Sequence, residues 1–231
     1  VKHFSVLPGG HDIKGHPREE LDIDVTRQAI AELKGKVDAV AISGYLSIRN
    51  PEHELAVRDM VYEMVELPVV CAHQLTTSLG YQERTVTAVL NAQLIPIITD
   101  LLESVKKVLE ENKIEAPMMV VKGDGCMMSE KMAREKPIET ILSGPASSII
   151  GGTFLTDTPD ALVFDMGGTT TDIAVLKDGV PKINQEGATV GGWLTRVQAA
   201  QIYTYGMGGD SYIQLDFERK IQVGPQRVWP L

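Results

Sequence analysis

Apolar residues recur along the chain at two spacings, which together predict alternating helices and strands. Short β-branched runs at 37–43 (VDAVAIS) and 68–72 (PVVCA) predict buried strands. Apolar positions at helical spacing predict helices over 22–35 and 50–65. The same spacing predicts a long helix over 83–112, which an internal proline is expected to kink or break.

The second half of the chain begins with strand and helix signals and ends in hairpins. A predicted strand over 118–125 runs into a glycine turn, and a helix is predicted within 128–135. Residues 142–156 predict a turn followed by a helix of small residues. From residue 161 onward, two or three short strands are joined by tight turns. This order predicts an α/β layer arrangement that passes into a mixed sheet.

Composition and charge narrow the classes of partner. The 231 residues are 43% hydrophobic and 23% charged, which is typical of a globular protein. The formal net charge is −9 and the chain has no dense Lys/Arg cluster, so we expect no nucleic acid and no anionic membrane as a partner. No apolar run approaches the roughly 18 residues that cross a bilayer. Backbone N–H groups can still bind a small phosphate without net positive charge.

The cysteines and the N-terminal residues indicate the cellular compartment of the protein. Cys71 and Cys126 show neither metal spacing nor a disulfide pattern, which favours a reducing compartment and predicts a cytoplasmic protein. Residues 1–20 are polar and rich in glycine, predict a loop, and lack the layout of a signal peptide. Because the chain does not begin with Met and has no clear terminal element, we expect a piece of a longer protein.

The stretch ALVFDMGGTTTDIAVLKDG at 161–179 carries the most chemical information. An apolar strand ends at Asp165, two glycines free the backbone to turn, and three threonines add hydroxyl and N–H donors. Asp172 follows, and the two aspartates could hold a hydrated Mg²⁺ beside a phosphate. The alternative is a glycine hairpin with threonines on the sheet. The full pattern, with a carboxylate at both strand ends, favours phosphate binding.

This stretch resembles a phosphate loop of the actin, hexokinase and Hsp70 ATPase superfamily, and its surroundings resemble the hydantoinase A/5-oxoprolinase family. The resemblance covers nearly the whole chain. The segments that match the family in order are NPEHE, ERTVTAVLNAQLIP, GDGCM, REKPIETILSGPA, DMGGTTTDIA and GMGGDS. The pair of SGPA and DMGGTTTD is highly specific.

The resemblance implies a fold and a site. The fold is α/β, with ribonuclease H-like, actin-like ATPase lobes, a mixed sheet and flanking helices. ATP and Mg²⁺ would lie between two lobes that each supply a phosphate loop. Residues 1–140 would form an α/β region leading into the ATPase lobe, and residues 141–231 the incomplete start of the second lobe. One of the two phosphate loops is absent here, so we expect this chain alone to bind ATP weakly and not to turn over.

The implied site residues fall into two groups. Asp165 and Asp172 are implied as catalytic residues and magnesium ligands. The residues implied to contact the nucleotide are Ser143, Gly144, Gly167, Gly168, Thr169, Thr170, Thr171, Gly206, Gly208, Gly209, Asp210 and Ser211.

The resemblance implies an ATP-dependent hydrolase that opens a cyclic amide of the hydantoin or 5-oxoproline type. ATP would phosphorylate the carbonyl oxygen before water attacks, with help from a second, hydantoinase B-type subunit or domain. A ketone carboxylase that activates bicarbonate or an enol is an alternative, and nothing in the sequence separates the two. A nucleotide-binding scaffold without catalysis is a third interpretation.

Three positions depart from the family pattern. Ser147-Ser148 replaces a Gly-Gly pair after SGPA, and Gly123-Asp124-Gly125 stands where the family has Asn-Gly-Gly. Asp210 stands where a third glycine is usual. Because its carboxylate would repel phosphate, we expect Asp210 to weaken nucleotide binding or to face the ribose or the metal.

Overall fold

The computed structural model describes residues 2–228. The helices are α1 (Ile23–Ala31), α2 (Glu52–Val65), α3 (Ala72–Leu75), α4 (Tyr81–Glu111), α5 (Glu130–Glu135) and α6 (Ser143–Thr156), with a 3₁₀ turn at Pro137–Thr140. The first strands are β1 (Val40–Ile42), β2 (Val69–Cys71), β3 (Met119–Val121), β4 (Met127–Ser129), β5 (Ala161–Met166), β6 (Thr171–Lys177) and β7 (Val180–Pro181). The remaining strands are β8 (Ile183–Asn184), β9 (Thr189–Val190), β10 (Trp193–Leu194), β11 (Ala199–Ala200), β12 (Ile202–Tyr205), β13 (Ser211–Leu215) and β14 (Ile221–Arg227).

The chain divides into two compact units. Unit 1 comprises Val1–Val120, Met128–Glu139 and Glu186–Val197, and unit 2 comprises Val121–Met127, Thr140–Gln185 and Gln198–Leu231. The predicted α/β class, with a mixed set of strands and flanking helices, is confirmed. The division into functional lobes at residue 140 stays a prediction.

Unit 1 is built on a short parallel pair of strands between helices. β1 and β2 pair in parallel, with Ile42 opposite Cys71, and α2 forms the crossover between them. Buried apolar residues of α1 and α2 form one cluster, which contains Ile30, Val57, Met60 and Val61. On α4, Ala88 and Ala92 form a second cluster with residues of β2 and α3. Because both strands are covered in this way, they are as apolar as the sequence indicated.

Helix α4 runs without a break through Pro96, so of the predicted kink or break the break is wrong and the kink stays a prediction. A proline removes one backbone N–H from the helix, but packing on both sides of it can hold the helix together. Before Pro96, Ala92 packs in a buried cluster. After it, Leu102 packs against Met128 and Ala133.

By length and apolar composition alone, α4 could span a membrane. It is the one helix among the described residues that meets these two criteria. The core helix of a folded domain passes the same test. Arg84, Thr87 and Asn91 are buried on α4 and make hydrogen bonds within unit 1. These hydrogen bonds tie the first half of α4 to unit 1, whereas only 28% of its most apolar window is buried.

The N-terminal region contains two further differences from the sequence prediction. Helix α1 ends at Ala31 rather than near Gly35, because the residues after Ala31 form turns and Gly35 has a φ of +72°. The first twenty residues contain little regular structure, as predicted, but His11 among them is only 1% exposed.

Unit 2 contains an antiparallel sheet covered on one face by α6. The strand order is β12-β6-β5, and β7 also pairs with β6. Small and branched residues of the helix and sheet form the core, which contains Ala146, Ile149, Ala174, Leu176 and Ala200. The register places Asp165 of β5 directly opposite Asp172 of β6. The predicted hairpin over this stretch is therefore confirmed, and it brings the two carboxylates to one end of the sheet.

Candidate nucleotide site

Residues 167–170 join β5 to β6, and this loop carries the predicted phosphate site. The Gly167 N–H donates to the Thr170 carbonyl at 2.9 Å and closes the loop. Gly167, Gly168 and Thr169 are exposed. Within residues 2–228, the N–H groups of Gly168, Thr169 and Thr170 have no hydrogen-bond partner. The loop therefore offers successive free donors at the surface of unit 2, which is what a backbone anion site requires.

A second glycine loop, between β12 and β13, is hydrogen bonded to the first through backbone atoms. The Gly209 N–H donates to the Gly167 carbonyl at 2.9 Å, and the Asp210 N–H donates to the Gly168 carbonyl at 2.7 Å. A Cβ on Gly208 would lie 2.6 Å from the carbonyl carbon and oxygen of Gly168. The close approach of the two loops therefore requires glycine at position 208.

The N–H groups of the second loop are used within unit 2. The Gly208 N–H donates to Ser211 Oγ at 2.8 Å, and the Ser211 N–H donates to the Gly208 carbonyl at 3.0 Å. The N–H groups of Gly209 and Asp210 bind the first loop. The structure brings these four predicted residues beside the loop at 167–170, where their backbone supports it. Direct contact between them and a nucleotide stays a prediction.

Two more of the predicted contact residues are also packed within unit 2. Thr171 is 2% exposed, and its hydroxyl donates to the Met207 carbonyl at 2.6 Å. A Cβ added to Gly206 would lie 3.7 Å from that of Pro225. These contacts hold the two loops in place. The hydroxyl proton of Thr171 is used in the hydrogen bond to Met207. Thr169 is the exposed threonine of the loop.

The two aspartates face each other across the hairpin. Asp165 and Asp172 are direct partners in the antiparallel register and are partly buried. The Thr204 hydroxyl donates to Asp172 Oδ1 at 2.5 Å, whereas Asp165 has no side-chain partner among residues 2–228. Like charges directly opposite each other on paired strands repel, and a bound cation relieves that repulsion. Carboxylate oxygens are ligands that Mg²⁺ prefers, so the donor set fits this ion.

Ser143 and Gly144 are the first two residues of α6, where backbone N–H groups lack partners within the helix. The helix ends shortly before β5 begins, and Gly152 near its C-terminal end packs against Val163. Backbone N–H groups at a helix N-terminus favour a bound anion. Contact between these two residues and a nucleotide stays a prediction.

The carboxylate of Asp210 has a partner that the sequence motifs do not indicate. Asp210 Oδ2 lies 2.6 Å from an Arg227 Nη2, and a Cβ on Gly168 would lie 2.7 Å from the same oxygen. Arg227 supplies a positive charge that offsets the Asp210 carboxylate next to the loop at 167–170. Both side chains are partly exposed, so the pair contributes at most about 1 kcal/mol to stability.

Sequence reasoning missed Thr204 and Arg227. Thr204 is found only from the register, which places it opposite Asp172 on the neighbouring strand. Arg227 lies at the end of β14 and reaches Asp210 through a hairpin, so no local motif marks it. The pairing of the strands is the signal that could have found both residues.

Replacing Gly208 with Ala tests the backbone contact between the two loops. The added Cβ would overlap Gly168, so we expect Gly208→Ala to lower the free energy of unfolding by about 1–3 kcal/mol. Chemical denaturation measures this change. The matched control is Gly151→Ala in α6, where a Cβ meets nothing within 4 Å and alanine favours the helix. Equal stability of the two variants would contradict the contact.

Two family models match the chain. The model described as Hydantoinase/oxoprolinase matches residues 84–228, and the model described as Hydantoinase/oxoprolinase N-terminal region matches residues 2–65. The first contains both glycine loops and the facing aspartates, and the second contains the NPEHE segment.

Curated and solved proteins resemble the chain over nearly all of its length. Caprolactamase subunit alpha of Pseudomonas jessenii is 31% identical over 195 residues, which are 83% of this chain and 28% of that protein. Acetone carboxylase beta subunit of Xanthobacter autotrophicus is 28% identical over 217 residues, which are 90% of this chain and 29% of that protein. The crystal structure of ATP-dependent caprolactamase from Pseudomonas jessenii has a TM-score of 0.84 and 29% identity, covering 96% of this chain and 33% of the other.

The chain thus spans a third or less of the length of these relatives. Because the Hydantoinase/oxoprolinase model alone matches more than half of its residues, the chain belongs to the hydantoinase/oxoprolinase family.

Proposed function

We propose that this chain is part of a longer ATP-dependent enzyme that opens cyclic amides, and that the loop at 167–170 binds the phosphates of ATP. The observation that carries the proposal is the exposed loop with three free N–H groups beside the facing carboxylates of Asp165 and Asp172. The likeness to a caprolactamase described as ATP-dependent supports it. An actin-like arrangement, with ATP between two lobes, is part of this proposal.

The proposed reaction transfers the γ-phosphoryl group of ATP to the carbonyl oxygen of the amide. The bond from the γ-phosphorus to the β-phosphate oxygen breaks and a bond to the carbonyl oxygen forms. Water then attacks the activated carbon, and the ring C–N bond breaks so that the protonated amine leaves and an acyl phosphate remains. A second water hydrolyses the acyl phosphate to a carboxylate and inorganic phosphate. The N–H groups of Gly168, Thr169 and Thr170 would bind phosphate oxygens and orient them. Asp165 and Asp172 would hold Mg²⁺, which supplies positive charge to the phosphates.

The proposal also covers a partner subunit, the cellular compartment and the activity of this chain alone. A second, hydantoinase B-type subunit or domain would help water to attack, and the names of the relatives as subunits support such a partner. A cytoplasmic location is supported by two cysteines that are free in the structure. Because this chain would supply one of the two phosphate loops, it would bind ATP weakly by itself and not turn over.

Substitution of Asp165 tests the nucleotide site. In the full-length protein that carries this chain, we expect Asp165→Asn to weaken Mg²⁺-dependent ATP binding at least about tenfold, because a metal ligand loses its charge. Isothermal titration with and without Mg²⁺ measures the effect. The matched control is Asp178→Asn, an exposed aspartate at the far end of β6 whose φ of +53° asparagine also accepts.

Two outcomes of that titration would contradict the site. One is an ATP affinity that is the same in Asp165→Asn and in the wild-type protein. The other is an equal loss in both variants, which would indicate a general effect of charge.

A ketone carboxylase is a second candidate, favoured by the 28% identity to an acetone carboxylase subunit. Turnover of the full-length protein separates the candidates. For the hydrolase we expect lactam opening in ¹⁸O-labelled water that consumes ATP and needs no bicarbonate. ATP hydrolysis that requires both bicarbonate and a ketone would favour the carboxylase. Lactam opening without ATP consumption would contradict both, and ATP binding without substrate-stimulated hydrolysis would favour the scaffold.

A further inference from the structure

Asp210 departs from the family pattern, and its place in the second glycine loop is fixed by backbone hydrogen bonds. Its N–H donates to the Gly168 carbonyl at 2.7 Å, and its carbonyl accepts the Val228 N–H at 2.7 Å. The backbone at residue 210 is therefore held between the loop at 167–170 and the chain that follows β14. This anchoring determines where the carboxylate of Asp210 can lie.

The carboxyl group of Asp210 lies against Gly168 of the first loop. A Cβ on Gly168 would lie 2.7 Å from Oδ2, 3.2 Å from Cγ and 3.6 Å from Oδ1 of Asp210. All three atoms are thus within contact distance of that position. The carboxylate therefore lies beside the first of the free N–H groups that are proposed to bind phosphate. A carboxylate without a positive partner would repel phosphates at this point.

The pairing of β14 with β13 brings Arg227 to this carboxylate. The register places Arg227 opposite Ser211, the residue that follows Asp210. Arg227 Nη2 lies 2.6 Å from Asp210 Oδ2, the carboxylate oxygen nearest to the Cβ position of Gly168. The two distances that meet at this oxygen limit the separation of Nη2 from that Cβ position to 5.3 Å. The guanidinium group is therefore a neighbour of the loop at 167–170.

The guanidinium group of Arg227 has more donors than Asp210 uses. An arginine side chain carries five N–H donors in a planar fork. Among residues 2–228, its one side-chain hydrogen bond is the one that Nη2 donates to Asp210. The side chain of Arg227 is 51% exposed, so water or a ligand can reach the rest of the fork. N–H groups of the fork thus remain available for a second acceptor.

A guanidinium group that a carboxylate holds on one side suits a phosphate as its second acceptor. Arginine binds phosphate oxygens through charge-assisted hydrogen bonds, often two in parallel. A side chain that is already oriented loses less conformational freedom when it binds. The free N–H groups of residues 168–170 would bind the same anion, so the backbone and the fork can act together.

Lys220 lies on the same hairpin as Arg227 but at its opposite end. It stands next to Ile221, the first residue of β14, whereas Arg227 is the last. The seven residues of β14 span about 20 Å. Lys220 Nζ lies 2.6 Å from a carboxylate oxygen of Glu218, so Lys220 also belongs to an exposed ion pair. It therefore provides a matched control for the loss of one positive charge.

We propose that Arg227 binds a phosphate oxygen of the nucleotide and that Asp210 is the residue that positions it. The aspartate orients the guanidinium group, and the guanidinium group offsets the charge of the aspartate. Asp210 therefore supports nucleotide binding, in contrast to the weakening expected from the sequence. The inference rests on the proposed ATP site at 167–170.

The test separates contact with phosphate from balance of charge by removing Arg227 with and without Asp210. Isothermal titration of the full-length protein with ATP and Mg²⁺ measures affinity. We expect Asp210→Gly to weaken binding about threefold, because Arg227 keeps its charge and loses only its orientation. In that background, where no carboxylate remains to be balanced, Arg227→Gln should weaken binding a further tenfold or so, about the loss of one charged hydrogen bond. Lys220→Gln should bind ATP as the wild type does.

A second variant, Arg227→Lys, keeps the charge without the fork and should bind ATP with an affinity between those of the wild type and Arg227→Gln. Equal ATP affinity of Asp210→Gly and of Asp210→Gly with Arg227→Gln would overturn the inference, because the arginine would then only balance the carboxylate. An equal loss in Lys220→Gln would also overturn it.

These failures are distinguishable from failure of the ATP site, which the titration of Asp165→Asn reports independently. Absence of ATP binding by the wild-type protein would overturn the proposed site and this inference with it.

Discussion

Two backbone hydrogen bonds hold together the two glycine loops of the candidate nucleotide site. The N–H groups of Gly209 and Asp210 donate them to the carbonyls of Gly167 and Gly168. They use the carbonyls of the first loop and the N–H groups of the second. The first loop is left with free donors, because hydrogen bonds to its carbonyls satisfy only its acceptors. A side chain on Gly208 would separate the loops, which explains a glycine at that position in physical terms. An anion is the ligand that such free donors stabilise.

The sheet register adds a second constraint at the same place. Pairing of β5 with β6 puts two carboxylates opposite each other at the end of the hairpin, a placement that disfavours the free protein. Thr204 relieves one carboxylate through a hydrogen bond, and Arg227 balances the nearby Asp210. Among residues 2–228, Asp165 has no side-chain hydrogen-bond partner. Free N–H donors beside two facing carboxylates are the combination that the proposed magnesium–nucleotide complex requires.

Local sequence was sufficient for the hairpin that carries Asp165 and Asp172, because apolar runs and glycines determine it within a few residues. It was insufficient where partners are distant along the chain. Arg227 reaches Asp210 across a hairpin, and the hydroxyl of Thr171 is taken up by a carbonyl on another loop. Tertiary packing also overrode local preference at Pro96, where α4 continues. The role of the second loop as a support therefore became visible only with the fold.

The most direct test of the account is a crystal structure of the full-length protein with Mg²⁺ and a non-hydrolysable ATP analogue. The account predicts phosphate oxygens within hydrogen-bond distance of the N–H groups at residues 168–170, and a magnesium ion bound by Asp165 and Asp172, directly or through its waters. A nucleotide bound elsewhere, with those N–H groups facing only solvent, would contradict it.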